Sequence, residues 1–167
     1  ITGLNASGSQ AAAEALYFWV ANNTIIQDCL YLSGDPDVYV RSDAGSVNNS
    51  LINCTYLTET VNPSGTNNYL LRKWWVDVNV SYAVNGSPVA EANVSIYNNS
   101  DELVYSSLTD SGGDITRQAV LEYKNLGGTT TYAVNHDITI TKSGFETNTT
   151  TVNLTENLRL RGSYSKA

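Results

Sequence analysis

Leu70-Leu-Arg-Lys-Trp-Trp-Val-Asp-Val-Asn-Val-Ser-Tyr-Ala-Val-Asn-Gly-Ser-Pro-Val-Ala-Glu-Ala-Asn-Val-Ser-Ile-Tyr97 reads as a long strand, a turn and a second strand. Val76, Val78, Val80 and Tyr82 alternate with Asp77, Asn79 and Ser81, the period of a half-buried strand. Asn85-Gly86 marks the turn, since both residues tolerate positive φ. Pro88 cannot donate to a ladder, so it belongs at a strand start or an edge. Ala92, Val94 and Ile96 then resume the alternation.

Working outward, the rest of the chain is rich in Asn, Ser, Thr, Gly and Tyr and poor in charge, which suits an all-β protein with polar outer faces. Its 167 residues make one large domain or two small ones. The net charge of −7 leaves no basic face for nucleic acid or anionic lipid. The longest apolar block, residues 11–21, is broken by Glu14 and is too short to span a membrane. With neither an initiator Met nor a basic leader, the chain reads as a processed or excised form.

Asn-x-Ser/Thr occurs ten times, at Asn5, Asn22, Asn48, Asn53, Asn79, Asn85, Asn93, Asn98, Asn148 and Asn153. This composition predicts roughly four by chance. The excess points to N-linked glycans on an extracellular surface. Asn79, Asn93 and Asn153 fall out of phase with their apolar neighbours and are expected to face solvent. Asn148 shares the phase of Val152 and Leu154, so a bulge intervenes or the site is less accessible.

Cys29 and Cys54 fit one disulfide of a secreted chain, closing a loop of about 25 residues worth roughly 3 kcal/mol. The alternative is two buried, reduced thiols.

Ser9-Gln-Ala-Ala-Ala-Glu opens either a short helix or an extended arm, and Leu16–Val20 reads as a strand buried on both faces. Asn22-Asn-Thr-Ile-Ile-Gln-Asp-Cys29 resembles Asn48-Asn-Ser-Leu-Ile-Asn-Cys54 at an offset of 48 − 22 = 26 residues. Such a period suits a coil of a parallel β-helix, and a β-meander is the alternative. A helix of so few coils leaves strand edges unpaired.

Turn formers in residues 61–68 place a boundary there. The expected division is 1–66, an N-terminal arm plus β-helix-like strands; 67–162, a seven-stranded Ig- or transthyretin-like sandwich; and 163–167, a loose tail. Strands are expected near 69–82, 92–97, 102–109, 115–123, 130–142, 145–154 and 157–161.

Gly86-Ser-Pro-Val-Ala-Glu-Ala-Asn-Val-Ser-Ile, Leu103-Val-Tyr, Thr109-Asp-Ser-Gly-Gly and Ile138-Thr-Ile-Thr-Lys-Ser-Gly-Phe-Glu-Thr together resemble the carboxypeptidase regulatory-like, transthyretin-like sandwich module, over about residues 74–161. Ala92-Asn93 departs from the Gly-Ala usual there. The resemblance implies a non-catalytic folding, spacing or adhesion unit. The Asn-rich segment before it is similar to β-helix parts of archaeal cell-surface glycoproteins, which often carry such a module.

No catalytic set emerges. His136 is the lone histidine and reads as a loop or strand-face residue. Asp35/Asp37 and Asp101/Glu102 fall on turns, short of the convergent pair glycosidases need. Ser33–Asp37 and Asp110–Asp114 could offer calcium oxygen ligands, but ordinary turns explain them as well. Trp74-Trp75 should put one ring in the core and the other against the N-terminal half, or serve as a sugar-stacking platform. Lys73, Lys142 and Glu91 have the chemistry for an isopeptide, with nothing in the sequence to fix their geometry.

The expectation is therefore an extracellular structural subunit that polymerises with itself by strand pairing. Ala11, Leu16, Tyr17, Phe18, Trp19 and Val20 are the segment expected to be donated to a neighbour. The alternative is an adhesin or carbohydrate-binding fragment of a larger surface glycoprotein.

Overall fold

A computed structural model describes residues 1–3, 5–7 (backbone only), 13–41, 45–64 and 67–165. Regular structure among them is entirely β. The chain divides into two compact units: Ile1–Lys73 with Leu121–Tyr132, and Trp74–Val120 with Ala133–Ala167. The division thus falls after Lys73, inside a strand, and not at 66/67. The alternation of that strand never stops, so it supplies Leu70 to one core and Val76, Val78 and Val80 to another.

The first unit is a three-sided parallel β-helix. On one side β1 (Asn5–Ser7) pairs with β4 (Tyr31–Ser33). On a second, β2 (Leu16–Phe18) pairs with β5 (Val38–Val40), and β5 with β7 (Glu59–Val61). On the third, β3 (Ile25–Cys29) pairs with β6 (Asn49–Cys54), and β6 with the start of β8 (Tyr69–Tyr82). All these ladders are parallel, which rules out the meander, whose neighbours run antiparallel.

The true repeat is one residue shorter than the motif comparison suggested. Cys29 stands opposite Cys54, a step of 54 − 29 = 25, and the next step, Asn49 to Leu70, is 70 − 49 = 21. The Asn-rich texture belongs to the corners. Asn23, Asp28, Asn48 and Asn53 all have φ between 52° and 57°. Asn and Asp tolerate that left-handed region better than other side chains with a Cβ. Corners also stack: Asn48 Nδ2 donates to Asn23 Oδ1 at 2.7 Å, and Asn53 Nδ2 to Asp28 Oδ1 at 2.8 Å. Inside the coils lie Phe18, Ile26, Leu32, Val38, Val40, Leu51, Val61 and Leu70, each worth about 1.5–3 kcal/mol of burial. This unit also holds the end of β11 (Gln118–Leu126) and β12 (Thr129–Tyr132), an antiparallel hairpin turned by Gly127-Gly128.

The second unit is the expected sandwich. One sheet has the order β10 (Leu103–Leu108), β9 (Asn93–Tyr97), β13 (His136–Thr141), β14 (Asn148–Val152). Facing it in the core are residues of β8 and of β15 (Leu158–Tyr164), which pairs with β8 in parallel. Two expectations shift. The strand expected over 130–142 breaks at residues 133–135, where Asn135 takes φ 70°. Of the expected loose tail, residues 163–164 are strand: β15 runs to Tyr164, opposite Tyr82 and only 2% exposed. Gly162 makes this possible, since a Cβ there would meet Ile140 Cδ1 at 2.7 Å.

Candidate functional site

Among the described residues, the outer side of the first coil has no strand paired to it. Gly3 N donates to Gln27 O and Gln27 N to Ile1 O, so Ile1 and Gly3 face β3. Leu16 N donates to Asp37 O, and Phe18 O accepts from Arg41 N, so Leu16 and Phe18 face β5. Successive residues of a strand turn their N–H groups to opposite sides. The backbone N–H and C=O groups of Thr2 and Tyr17 therefore point away from β3 and β5. Among the described residues no strand pairs with residues 1–3, β1 or β2 on that side.

The expected donated arm needs correcting on this point. Leu16, Tyr17 and Phe18 are β2, spent on the chain's own β5, and Phe18 is buried in the coil interior. An apolar strand already paired in its own chain cannot serve as a free arm. Trp19 and Val20 follow it, 62% and 48% exposed. Ala11 lies outside the described residues.

The outer face beside this edge is aromatic. Tyr17 and Tyr39 stack with centroids 5.5 Å apart and planes 18° apart. The Arg41 guanidinium lies 5.4 Å from the Trp19 ring and donates to Tyr17 Oη. Asn62 Nδ2 donates to Tyr39 Oη.

A polar cluster that the sequence did not reveal lies at the other end of the coils. Glu59 Oε2 accepts from Tyr56 Oη and Tyr123 Oη, both at 2.8 Å, and Glu59 Oε1 accepts from Asn125 Nδ2 at 2.7 Å. Arg72 pairs with Glu122 at 3.2 Å and lies 4.6 Å from the Tyr56 ring. Burial, and then the Glu59 charge, push the Tyr123 hydroxyl up to about 12. Tyr56 moves the same way for the same reasons. Both oxygens of Glu59 are committed to donors, so the cluster acts as a clamp. Only Tyr56-x-x-Glu59 and Glu122-Tyr-x-Asn125 hint at it, and nothing in their spacing joins them.

The cysteines correct the expected disulfide. Cys29 and Cys54 are buried opposite one another in the β3–β6 ladder, with no disulfide between them. Cys54 Sγ points at the carbonyls of Ile26 and Ile52, and burial pushes its thiol well up.

The carboxylates singled out earlier serve turns. Asp37 accepts from Gly34 N, Leu57 N and Thr58 N. Asp110 accepts from Gly112 N and Asp114 N. Asn98 Nδ2 donates to Glu102. Asp35 and Asp101 are exposed. Among the described residues no three His, Cys, Asp or Glu side chains gather as a metal site. His136 is 1% exposed, on the inward phase of β13. Trp74 lies in the sandwich core, while Trp75 faces outward, 5.9 Å from Arg117. Lys142 Nζ donates to Ala90 O, and Glu91 is exposed.

Of the acceptor asparagines, Asn153 is exposed, and Asn79 and Asn93 are half-buried between core-facing neighbours. Asn148 does share the half-buried side of β14 with Val152, without a bulge in the β13–β14 ladder.

No family model matches the chain, and no curated protein does. Among solved structures, the Bacillus anthracis TIE protein is similar over 59% of this chain and 19% of its own, at 16% identity and a TM-score of 0.37. A likeness that slight bears on neither fold nor function. No helix among the described residues is long and apolar enough to cross a membrane.

Proposed function

We propose that the chain is a structural subunit of an extracellular, glycosylated filament or surface lattice, joined to further copies by strand pairing. The observation that supports this reading is that, among the described residues, no strand pairs with the outer side of the first coil. Among the described residues three parallel ladders reach that side together, so one docking event can continue all three. The acidic surface and the tenfold-repeated acceptor motif fit a secreted, sugar-coated assembly. Tyr17→Pro removes one outward N–H and leaves the Leu16 and Phe18 bonds to β5 in place. Light scattering and negative-stain imaging of the two proteins should show polymers for the parent and monomers for the variant. A parent that stays monomeric at high concentration would overturn the reading.

A second reading is a carbohydrate-binding or adhesive part of a longer surface protein, whose own preceding segment supplies the next coil. The Tyr17, Trp19, Tyr39 and Arg41 face favours it, since flat rings beside a guanidinium suit sugar stacking. Glycan-array binding lost in Trp19→Ala, by a protein that stays monomeric, would select it.

A further inference from the structure

Transfer of a glycan to asparagine forms a bond from Nδ2 to the anomeric carbon of a sugar and releases a lipid pyrophosphate. The amide nitrogen must therefore be reachable and must give up one proton. The ten acceptor asparagines differ sharply in what their Nδ2 groups already do.

Five are tied. Asn48 Nδ2 donates to Asn23 Oδ1, and Asn53 Nδ2 to Asp28 Oδ1, both at positive-φ corners of the β-helix. Asn79 Nδ2 donates to Gly112 O at 3.1 Å and Asp114 Oδ1 at 2.9 Å, on a strand flanked by β15. Asn93 Nδ2 donates to Ser95 Oγ, while its Oδ1 accepts from Ser106 Oγ. Asn98 holds its own turn, with Nδ2 on Glu102 and Oδ1 accepting from Ser100 N and Glu102 N.

Three are presented. Asn22, Asn85 and Asn153 are exposed and lie outside the strands. Among the described residues nothing accepts from their Nδ2 groups. In Asn22 and Asn85 the oxygen alone is used, accepting from Val47 N and Ser87 N, which fixes the amide with its nitrogen outward. Asn85 also borders a groove of about 380 Å³ that includes Tyr82 and Phe145, apolar ring faces against which a first sugar can lie.

We propose that Asn22, Asn85 and Asn153 are the glycan acceptors of the folded protein, and that Asn48, Asn53, Asn79, Asn93 and Asn98 are not, because their amides are spent holding the fold. This rests on the glycoprotein reading above and names its sites. Each bond that must open before transfer slows it by about fivefold.

The test uses the folded, unglycosylated chain, a single-subunit oligosaccharyltransferase and a lipid-linked oligosaccharide, with site occupancy read by glycopeptide mass spectrometry. Synthetic peptides spanning each acceptor run in parallel. Asn22, Asn85 and Asn153 should be modified in the folded chain as fast as in their peptides, and the five tied sites at least about fivefold more slowly than in theirs. The triple variant N22Q/N85Q/N153Q should lose the fast transfer and leave the slow transfer to the five tied sites unchanged. Modification of a tied site in the folded chain at the rate of Asn85, or no transfer to any of the three, would overturn the proposal. The intact mass of the chain secreted by its own source tests the broader reading separately. A bare native chain sinks that reading, whatever pattern the folded protein shows in the tube.

Discussion

Asp37 and Thr58 hold one another across successive coils: Asp37 N donates to Thr58 Oγ1, and Thr58 N donates to Asp37 Oδ2, both at 2.9 Å. The same carboxylate takes Leu57 N at 2.7 Å and Gly34 N at 2.6 Å. One buried side chain thus satisfies the turn before β5 and the turn before β7.

Asp37→Ala leaves three backbone N–H groups without their acceptor and should cost about 3 kcal/mol in denaturant unfolding. Asp37→Asn keeps one acceptor oxygen and should cost less. Burial raises this carboxyl's pKa, but its backbone hydrogen bonds outweigh that and hold it below the ordinary aspartate value. A group so depressed stabilises fully above about pH 4, and its contribution drains away as pH falls through the folded value. The acid limb of a stability–pH curve should therefore flatten in Asp37→Asn.

The Glu59 clamp predicts an alkaline effect of opposite sign. Tyr123 keeps its proton to about 12 when folded, whereas an unfolded tyrosine loses it near 10. Between those values the unfolded state binds fewer protons, so stability falls as pH rises through about 10 to 12. Ultraviolet titration should show late-ionising tyrosines, one fewer of them in Tyr123→Phe. Glu59→Ala should cost about 2 kcal/mol and bring that ionisation down.

Cys29 and Cys54 predict a thiol count. The native protein should take up no iodoacetamide label, and the denatured, unreduced protein should take up two. Replacing Cys54 with Ala should cost about 1 kcal/mol, from a small cavity inside the coil.

His136 is buried, and neither ring nitrogen has a partner among the described residues. Burial lowers its pKa, so the folded state holds the ring neutral while the unfolded state protonates below about 6.5. Stability should therefore fall as pH drops below about 6.5, until the folded value is reached. His136→Leu should remove that slope and should match or exceed the parent's stability at pH 7, since it relieves unsatisfied buried polar atoms. Thermal melts across pH 5–8 check both points.

Much of the architecture was legible along the chain. The valines of β8, the Asn85-Gly86 turn and the glycine turns are local signals, each carried by a residue's own backbone preference or by a period of two. The Asn-rich corners form a visible motif, but its spacing of 26 exceeds the structural step of 25 by one residue. Their register is set by which corner stacks on which, and a one-residue gap in a motif leaves that open.

The site was less legible. That Asn79 is tied to Asp114, 114 − 79 = 35 residues away, or that Glu59 gathers Tyr123 and Asn125, depends on long-range placement that no local pattern encodes. By itself the sequence determined a strand-built, acidic, acceptor-rich chain with a repeating front segment, because composition and periodicity act residue by residue. Only the tertiary structure decided that the coils run parallel, that the cysteines lie opposite one another without a bond between them, that β2 belongs to its own chain, and which asparagine amides are already hydrogen-bonded. Each of those outcomes is a competition between distant groups for the same hydrogen bonds and the same interior space.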